Sequence, residues 1–380
     1  MKQNLIYILT LLLMISCTPK KEVQDITDSS IRHASLLQMQ ELEDGITLCR
    51  IANPWKQDET AAQYLLVPSN NDGFGEKEIK IITEKYGESE IIRTPLERMT
   101  ITASCHGYLL EQIGALKNVA VFCDPEYVMY SPVRQLIDNN TIVNGGTSMA
   151  PNIETILSKE SDAIWISPFE NASAGNISTL PIHVIYCADY METSPLGRAE
   201  WMKFYGRLVN KANETDSLFC IIESRYDSIK NNNHLSMVQP ISKESAKTLL
   251  SELPYQSTWY IPGGKSTTGI LYKDAGYNYP WADDEHSGSL ALSAEIVLDK
   301  AQDADLWVFK YLADHNYTLS ELLGQNPFYG QFKAAKNGNV YGCNTQSSDF
   351  YDVTPFRPDI LLDELKDLDD DSTRYFKKLQ

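Results

Sequence analysis

A chain of 380 residues with 43% hydrophobic and 22% charged side chains is an ordinary globular mixture. It is long enough for two lobes and a substantial core, which excludes a single short module and wholesale disorder. With 33 Lys and Arg against 51 Asp and Glu the net charge is −18, which repels a phosphate backbone and sets nucleic acid aside as a partner.

The chain opens on an apolar run, Leu5 to Ile15, that follows Lys2 and ends in Met14-Ile15-Ser16-Cys17. Eleven residues are too few to span a bilayer, and the basic start, apolar middle and small residue before a cysteine mark residues 1–16 as a signal peptide. The ending resembles a bacterial lipobox, which implies cleavage before Cys17, lipidation of its thiol and a membrane anchor outside the cytoplasm. Residues 17–33 are polar enough to form the tether. Alternating segments follow at Leu36 to Gln40, Ile46 to Ala52 and Gln63 to Val67, broken by Asp44-Gly45 and Asn53-Pro54 turns. They predict a β-meander added to the sheet of a first lobe.

That lobe, residues 34–213, continues with a strand from Met99 to Ala103, a loop Ser104-Cys105-His106-Gly107 and a helix from Tyr108 to Gly114. Asn152 to Trp165 predicts a short amphipathic helix feeding a hydrophobic strand, and Ile182 to Cys187 another strand. From Glu214 to Lys230 the residues Leu218, Ile221, Ile222, Tyr226 and Ile229 recur at helical spacing, so residues 214–232 predict one long helix joining two lobes. The second lobe, residues 233–380, offers a strand from Ser257 to Pro262, a loop from Gly263 to Ser266, a helix ending at Gly276 and a strand from Asn339 to Cys343. Between these last two, Ser293 to Trp307 repeats the Asn152 to Trp165 segment: Glu154, Leu157, Lys159, Asp162 and Ala163 recur 141 residues later as Glu295, Leu298, Lys300, Asp303 and Ala304. Strands alternating with helices in a doubled order predict an α/β fold of two Rossmann-like lobes with parallel central sheets and a cleft between them.

Six cysteines remain besides Cys17, namely Cys49, Cys105, Cys123, Cys187, Cys220 and Cys343. They sit singly in apolar segments without a CxxC pair, which points to buried free thiols.

The lipobox, the two lobes, the single interlobe helix and the phrases Pro195-Leu-Gly-Arg-Ala-Glu-Trp201 and Trp259-Tyr-Ile-Pro-Gly-Gly-Lys265 resemble the substrate-binding lipoproteins of iron-complex and cobalamin ABC importers. The likeness runs from about Ile92 to Leu362. It implies a binding protein of the periplasm or cell envelope that captures a siderophore complex, haem or a corrinoid and hands it to a permease dimer. It also implies that Glu154 and Glu295, one acid per lobe, dock onto permease arginines. An acid in the first turn of a helix independently complements the helix dipole, and an exposed carboxylate accepts bidentate arginine.

In parallel sheets ligands sit beyond the carboxyl ends of the strands, so the cleft candidates are His106, Tyr127, Tyr130 and Met149 from the first lobe and Trp259, Lys265 and Trp281 from the second. Aromatic and Met side chains there would stack on a large flat ligand, His106 could ligate a chelated metal, and Lys265 beside two glycines could hold an anion. Gly264-Lys265-Ser266 fails as a P-loop because Trp259 stands where the first glycine belongs. Asp283 to His286 is expected to be a structural turn, no resident metal or cofactor is expected, and neither GxSxG nor a paired-histidine motif predicts an enzyme. The alternative function is a permease-independent surface lipoprotein that binds haem or another chelate, or a chelatase-like enzyme.

Overall fold

A computed structural model describes residues 24–26, 29–71, 73–170, 175–235, 246–368 and 373–380. Cys17 and the signal peptide lie outside the described residues. Among the described residues no helix is long and apolar enough to cross a membrane.

Strands β1 (Leu37–Glu41), β2 (Thr47–Ala52) and β3 (Thr60–Pro68) form the predicted antiparallel meander. It does not join the first lobe's sheet. Helix α1 (Glu76–Tyr86) carries the chain to β4 (Glu90–Thr94), which pairs parallel with β3 and completes a separate four-stranded sheet.

The first lobe proper begins at β5 (Met99–Ile101), which runs directly into α2 (Ser104–Gln112). Ser104 to Gly107 is therefore the first turn of a helix and not a loop. Its side chains at Cys105, His106, Tyr108, Leu109 and Leu110 are buried, and a Cβ on Gly107 would lie 3.2 Å from Phe122 and Val133. The lobe continues through β6 (Val119–Phe122), α3 (Ser131–Asp138), β7 (Val143–Asn144), the small hairpin β8 (Gly146–Thr147) and β9 (Ala150–Pro151), α4 (Ile153–Ser158), β10 (Ala163–Ile166) and β11 (His183–Tyr186). The parallel sheet has the order β11-β10-β5-β6-β7. At its β11 edge it meets a side chain of the N-terminal sheet: Tyr64 Oη donates to Val184 O at 2.8 Å and accepts from Tyr186 N at 3.0 Å.

Helices α5 (Pro195–Glu200) and α6 (Met202–Leu208) lead into the long α7 (Ala212–Leu235), which buries Phe219, Ile222 and Tyr226. Arg225 on α7 ties it to the second lobe through Asp359 at 3.1 Å and Asp363 at 2.7 Å. On the other side, the segment Arg32 to Leu36 is held by two buried carboxylates. Glu200 accepts the backbone N–H groups of Arg32, His33 and Ala34, while Glu192 accepts those of Ser35 and Leu36. The contact is close enough that a Cβ on Gly197 would stand 2.7 Å from His33 O.

The second lobe departs from expectation at its first strand. The parallel sheet starts with β12 (Leu249–Ser251), a fully buried strand ahead of β13 (Pro254–Tyr255). The segment Ser257 to Pro262, predicted as a strand of the second lobe's parallel sheet, is β14 (Thr258–Pro262), which pairs antiparallel with β13 and with β15 (Ser289–Leu292) in a sheet of its own. Helix α8 (Thr267–Asp274) lies between β14 and β15, and α9 (Ala294–Ala301) leads to β16 (Leu306–Tyr311). After α10 (Leu319–Gln325) and α11 (Lys333–Lys336) come β17 (Val340–Asn344), α12 (Phe350–Val353), α13 (Pro358–Lys366) and β18 (Lys377–Lys378), giving the sheet β12-β16-β17-β18. Only β18 runs antiparallel.

The sequence repeat is a structural one. Asn152 caps α4 by accepting from Thr155 N, and Ser293 caps α9 by accepting from Ile296 N. Each helix then delivers its chain to an interior strand of a parallel sheet, β10 or β16. The thiols of Cys49, Cys105, Cys123, Cys187 and Cys343 are free and buried, as predicted, and that of Cys220 is free but exposed on α7.

Candidate binding cleft

Two neighbouring cavities of about 350 and 580 Å³ lie between the lobes and share Arg198, Thr267, Thr268 and Lys310. The first lobe contributes the start of α2, Tyr190 to Glu192 and the α5 residues Pro195 and Arg198. The second contributes Tyr260 from β14, Thr267 and Thr268 from α8, Lys310 from β16 and Phe350 and Tyr351 from α12. Thr267 Oγ1 donates across the cleft to Glu192 O at 2.9 Å.

Each lobe supplies one cation backed by an acid. Arg198 Nε donates to Asp189 Oδ2 at 3.3 Å. The other Asp189 oxygen accepts from Tyr205 Oη at 2.7 Å and faces His106 Nε2 at 3.3 Å. Burial alone would raise the Asp189 carboxyl, but the hydrogen bonds of His106 and Tyr205 and the charge of Arg198 outweigh it and hold the group below the usual carboxylate range. Across the cleft, Lys310 pairs with Glu252. Burial opposes the ammonium charge, and the neighbouring Glu252 more than offsets this, so Lys310 stays protonated well above its ordinary range.

The sequence candidates are scattered by comparison. His106 is buried, with its ring edge-on to Trp165 at 5.4 Å, and it stands behind the cleft wall. Trp259 is fully buried in the second-lobe core, its Nε1 donating to Ser251 O at 3.0 Å, so its indole does not face the cleft. Trp281 is also buried, beneath the ammonium of Lys300. Tyr127 and Met149 are exposed, and Tyr130 packs on Tyr108 while donating to Glu111 Oε2 at 3.0 Å. Lys265 is exposed and paired with Glu285. None of these seven lines either cavity. Glu154 and Glu295 are exposed at matching positions in the first turns of α4 and α9.

The cleft residues that were missed carried signals of their own. Tyr260 alternates with Trp259 and Ile261 along β14, so when its neighbours point inward it points out. Lys310 is a lone charge near the carboxyl end of the apolar strand Leu-Trp-Val-Phe-Lys-Tyr. Arg198 lies inside the Pro195 to Trp201 phrase. Cys105, His106 and Asp189 also place potential metal-ligand atoms within 4.8 Å of one another. The Asp189 oxygens, however, are already occupied by Tyr205, His106 and Arg198.

One further carboxyl bridges the lobes near the cleft. Asp352 on α12 accepts from Met129 N through Oδ2 at 3.4 Å, and its Oδ1 is buried without a partner among the described residues. Burial pushes this group up to about 6 against the opposing backbone N–H groups of Tyr130 and Met129. Its folded-state value lies above the unfolded value of about 3.9, so the folded protein holds the proton between those limits and loses stability as the pH rises through them. Asp352→Asn is expected to abolish this part of the pH dependence of the unfolding temperature, which calorimetry at closely spaced pH values would show as a flatter profile.

A family model for periplasmic binding proteins matches residues 116–346. Two uncharacterized lipoproteins of Methanocaldococcus jannaschii are similar to the chain. One is 27% identical over 297 residues, 74% of this chain and 67% of that one. The other is 24% identical over 269 residues, 67% and 65% of the two chains, so the match spans about two thirds of each relative. Among solved structures, a petrobactin-binding protein from Bacillus subtilis superposes with a TM-score of 0.55 at 13% identity, covering 73% of this chain and 93% of that one. A periplasmic heme binding protein from Pseudomonas aeruginosa gives 0.54 at 14% identity, covering 74% and 96%. A periplasmic catecholate-siderophore binding protein from Vibrio cholerae gives 0.55 at 14%, covering 72% and 95%. At these identities the structural likeness is one of fold.

Proposed function

Because the chain belongs to the periplasmic binding protein family, we propose that it captures an iron complex, haem or a corrinoid between its lobes and delivers it to an ABC-type permease. The observation that carries this reading is the pair of cavities shared by residues of both lobes, with aromatic rings and opposed cations at their walls. Neighbours of the same fold whose names state petrobactin, heme and catecholate-siderophore binding support the ligand class. The lipobox-like Ser16-Cys17 and the lipoprotein relatives support a lipid tether on the outer side of a membrane. Delivery, in this reading, uses Glu154 and Glu295: two exposed acids on repeat-related helices suit a partner with two-fold symmetry. That pair favours permease delivery over a permease-independent surface lipoprotein.

Reversing both acids, Glu154→Arg with Glu295→Arg, is expected to leave ligand affinity within about threefold, roughly 0.7 kcal/mol. Uptake by cells should nevertheless collapse as like charges meet at the permease. Fluorescence titration of the purified variant beside whole-cell uptake checks both halves. Loss of affinity with the fold intact would place the two glutamates in the ligand site and refute the docking role.

A further inference from the structure

We infer that the strap of residues 32–36 is an interlobe clamp: it sets the spacing of the cleft through Glu192, a positioning residue whose carbonyl carries the bond from Thr267. The effect on a ligand rests on the cleft being the ligand site; the effect on lobe spacing does not.

The strap touches three parts of the molecule at once. On α7, the helix that joins the lobes, Glu223 Oε2 accepts from Arg32 Nη2 at 2.8 Å and Glu223 Oε1 meets His33 Nε2 at 2.6 Å. In the N-terminal sheet, Leu36 O accepts from Ala52 N at 2.8 Å, just ahead of β1. In the cleft wall the strap meets Glu192, which is 3% exposed and lines the larger cavity.

Glu192 is fixed at every polar group it has. Its Oε2 accepts from Ser35 N and Ser35 Oγ, both at 2.8 Å, and its Oε1 accepts from Leu36 N and Trp201 Nε1, both at 2.9 Å. Its N–H donates to Asp189 O at 3.1 Å. The remaining group, the carbonyl, accepts from Thr267 Oγ1 of the second lobe at 2.9 Å. Thr267 opens α8 directly after the cap Ser266, whose hydroxyl accepts from Gly269 N at 3.0 Å and donates to Gly263 O at 2.7 Å. Both ends of the interlobe bond are therefore held by their own lobes. The side chain that receives the strap and the carbonyl that receives the second lobe belong to one residue. A buried carboxylate robbed of the strap's donors has to turn toward others, and the carbonyl turns with it.

The lobe spacing is read without a ligand. With Cys17→Ser and Cys220→Ser in place, the five remaining thiols are buried. Nitroxide labels at Ser158→Cys on α4 and Asp299→Cys on α9, both exposed, then report the distance between the lobes by pulsed electron paramagnetic resonance. Thr267→Val, which removes the donor and keeps the branched shape, is expected to lengthen and broaden the distance distribution. Thr267→Ser keeps the hydroxyl and should restore the wild-type distribution. Glu192→Gln leaves one acceptor oxygen and turns amide hydrogens toward the strap's own donors, so it should shift the distribution the same way. Beside Thr267→Val it should add nothing, a non-additivity that lost stability alone would not produce. Ser35→Ala, which removes one hydroxyl from the strap, takes its place in the same cycle should the Glu192 variant fail to fold. Distributions of the folded variants that coincide with wild type overturn the clamp. Additive shifts overturn the route from the strap through Glu192. Haemin titration by tryptophan fluorescence adds the ligand arm: variants with separated lobes should bind haemin at least about fivefold more weakly. Unchanged haemin affinity in a chain whose lobes have moved apart, or no haemin binding by the wild type, overturns haemin capture in the cleft and leaves the clamp standing.

Discussion

Replacing Glu200 by alanine is expected to cost about 3 to 5 kcal/mol, the penalty for removing one member of a buried ion pair. Glu200 is fully buried, and Lys203, 2.8 Å away, is 7% exposed, so the ammonium would be left in the core without its counter-charge. The same deletion strips the acceptor from the backbone N–H groups of Arg32, His33 and Ala34, which the fold offers no other partner among the described residues. Urea unfolding of the variant beside the wild type measures the loss. The effect also has a pH signature. Burial opposes the carboxylate charge, but Lys203 and the N–H groups of His33 and Ala34 prevail and hold the group below its ordinary value. Its contribution is therefore complete above the unfolded value of about 4.3 and fades as the pH falls through the folded one. Glu200→Gln should lack that acid-side decline. A variant within about 1 kcal/mol of wild type at neutral pH would show that the strap of residues 32–36 is not a stabilising element.

Adjacent residues on β14 are expected to behave in opposite ways. Trp259 is fully buried against Trp307 and Phe332, so Trp259→Ala opens a large core cavity and should cost about 3 to 5 kcal/mol. Tyr260, on the other face, should tolerate alanine within about 0.5 kcal/mol, as surface positions usually do. The same Tyr260→Ala change should weaken the ligand that the wild type binds, since its ring lines the cleft. Thermal unfolding and fluorescence titration of both variants separate core from cleft. A stable Trp259→Ala protein with lost binding would return the indole to the ligand site.

The doubled α/β order, the helices α4 and α9 and the long joining helix were legible because each rests on a signal written along the chain, the internal repeat or helical periodicity. Signals that depend on which surface a side chain meets were not. A strand buried on both faces, such as β12 with Leu249, Leu250 and Ser251, is short and carries no alternation, so it escaped notice beside the longer Thr258 to Pro262. With Thr258 to Pro262 expected in the parallel sheet, its large indole stood for a ligand contact, although the strand alternates inward at Trp259 and outward at Tyr260. His106 was expected in a loop that ends at Gly107. The glycine instead allows α2 to pack closely on Phe122 and Val133, a tertiary reason invisible in one dimension. Arg198 and Lys310 meet only through the folding of two lobes, so no spacing in the chain could have joined them.

The phenol of Tyr64 does the work of a neighbouring peptide group for β11, taking one N–H and satisfying one carbonyl. A parallel sheet that ends in an open ladder is a template on which another chain can crystallise its own strand, and aggregation starts from such borders. Here part of that border is met by a single aromatic hydroxyl from a neighbouring sheet, which also sends Glu90 to pair with His183 on the same strand. The N-terminal sheet thus takes up part of that margin, and a strand from another chain would have to displace the phenol before it could pair there.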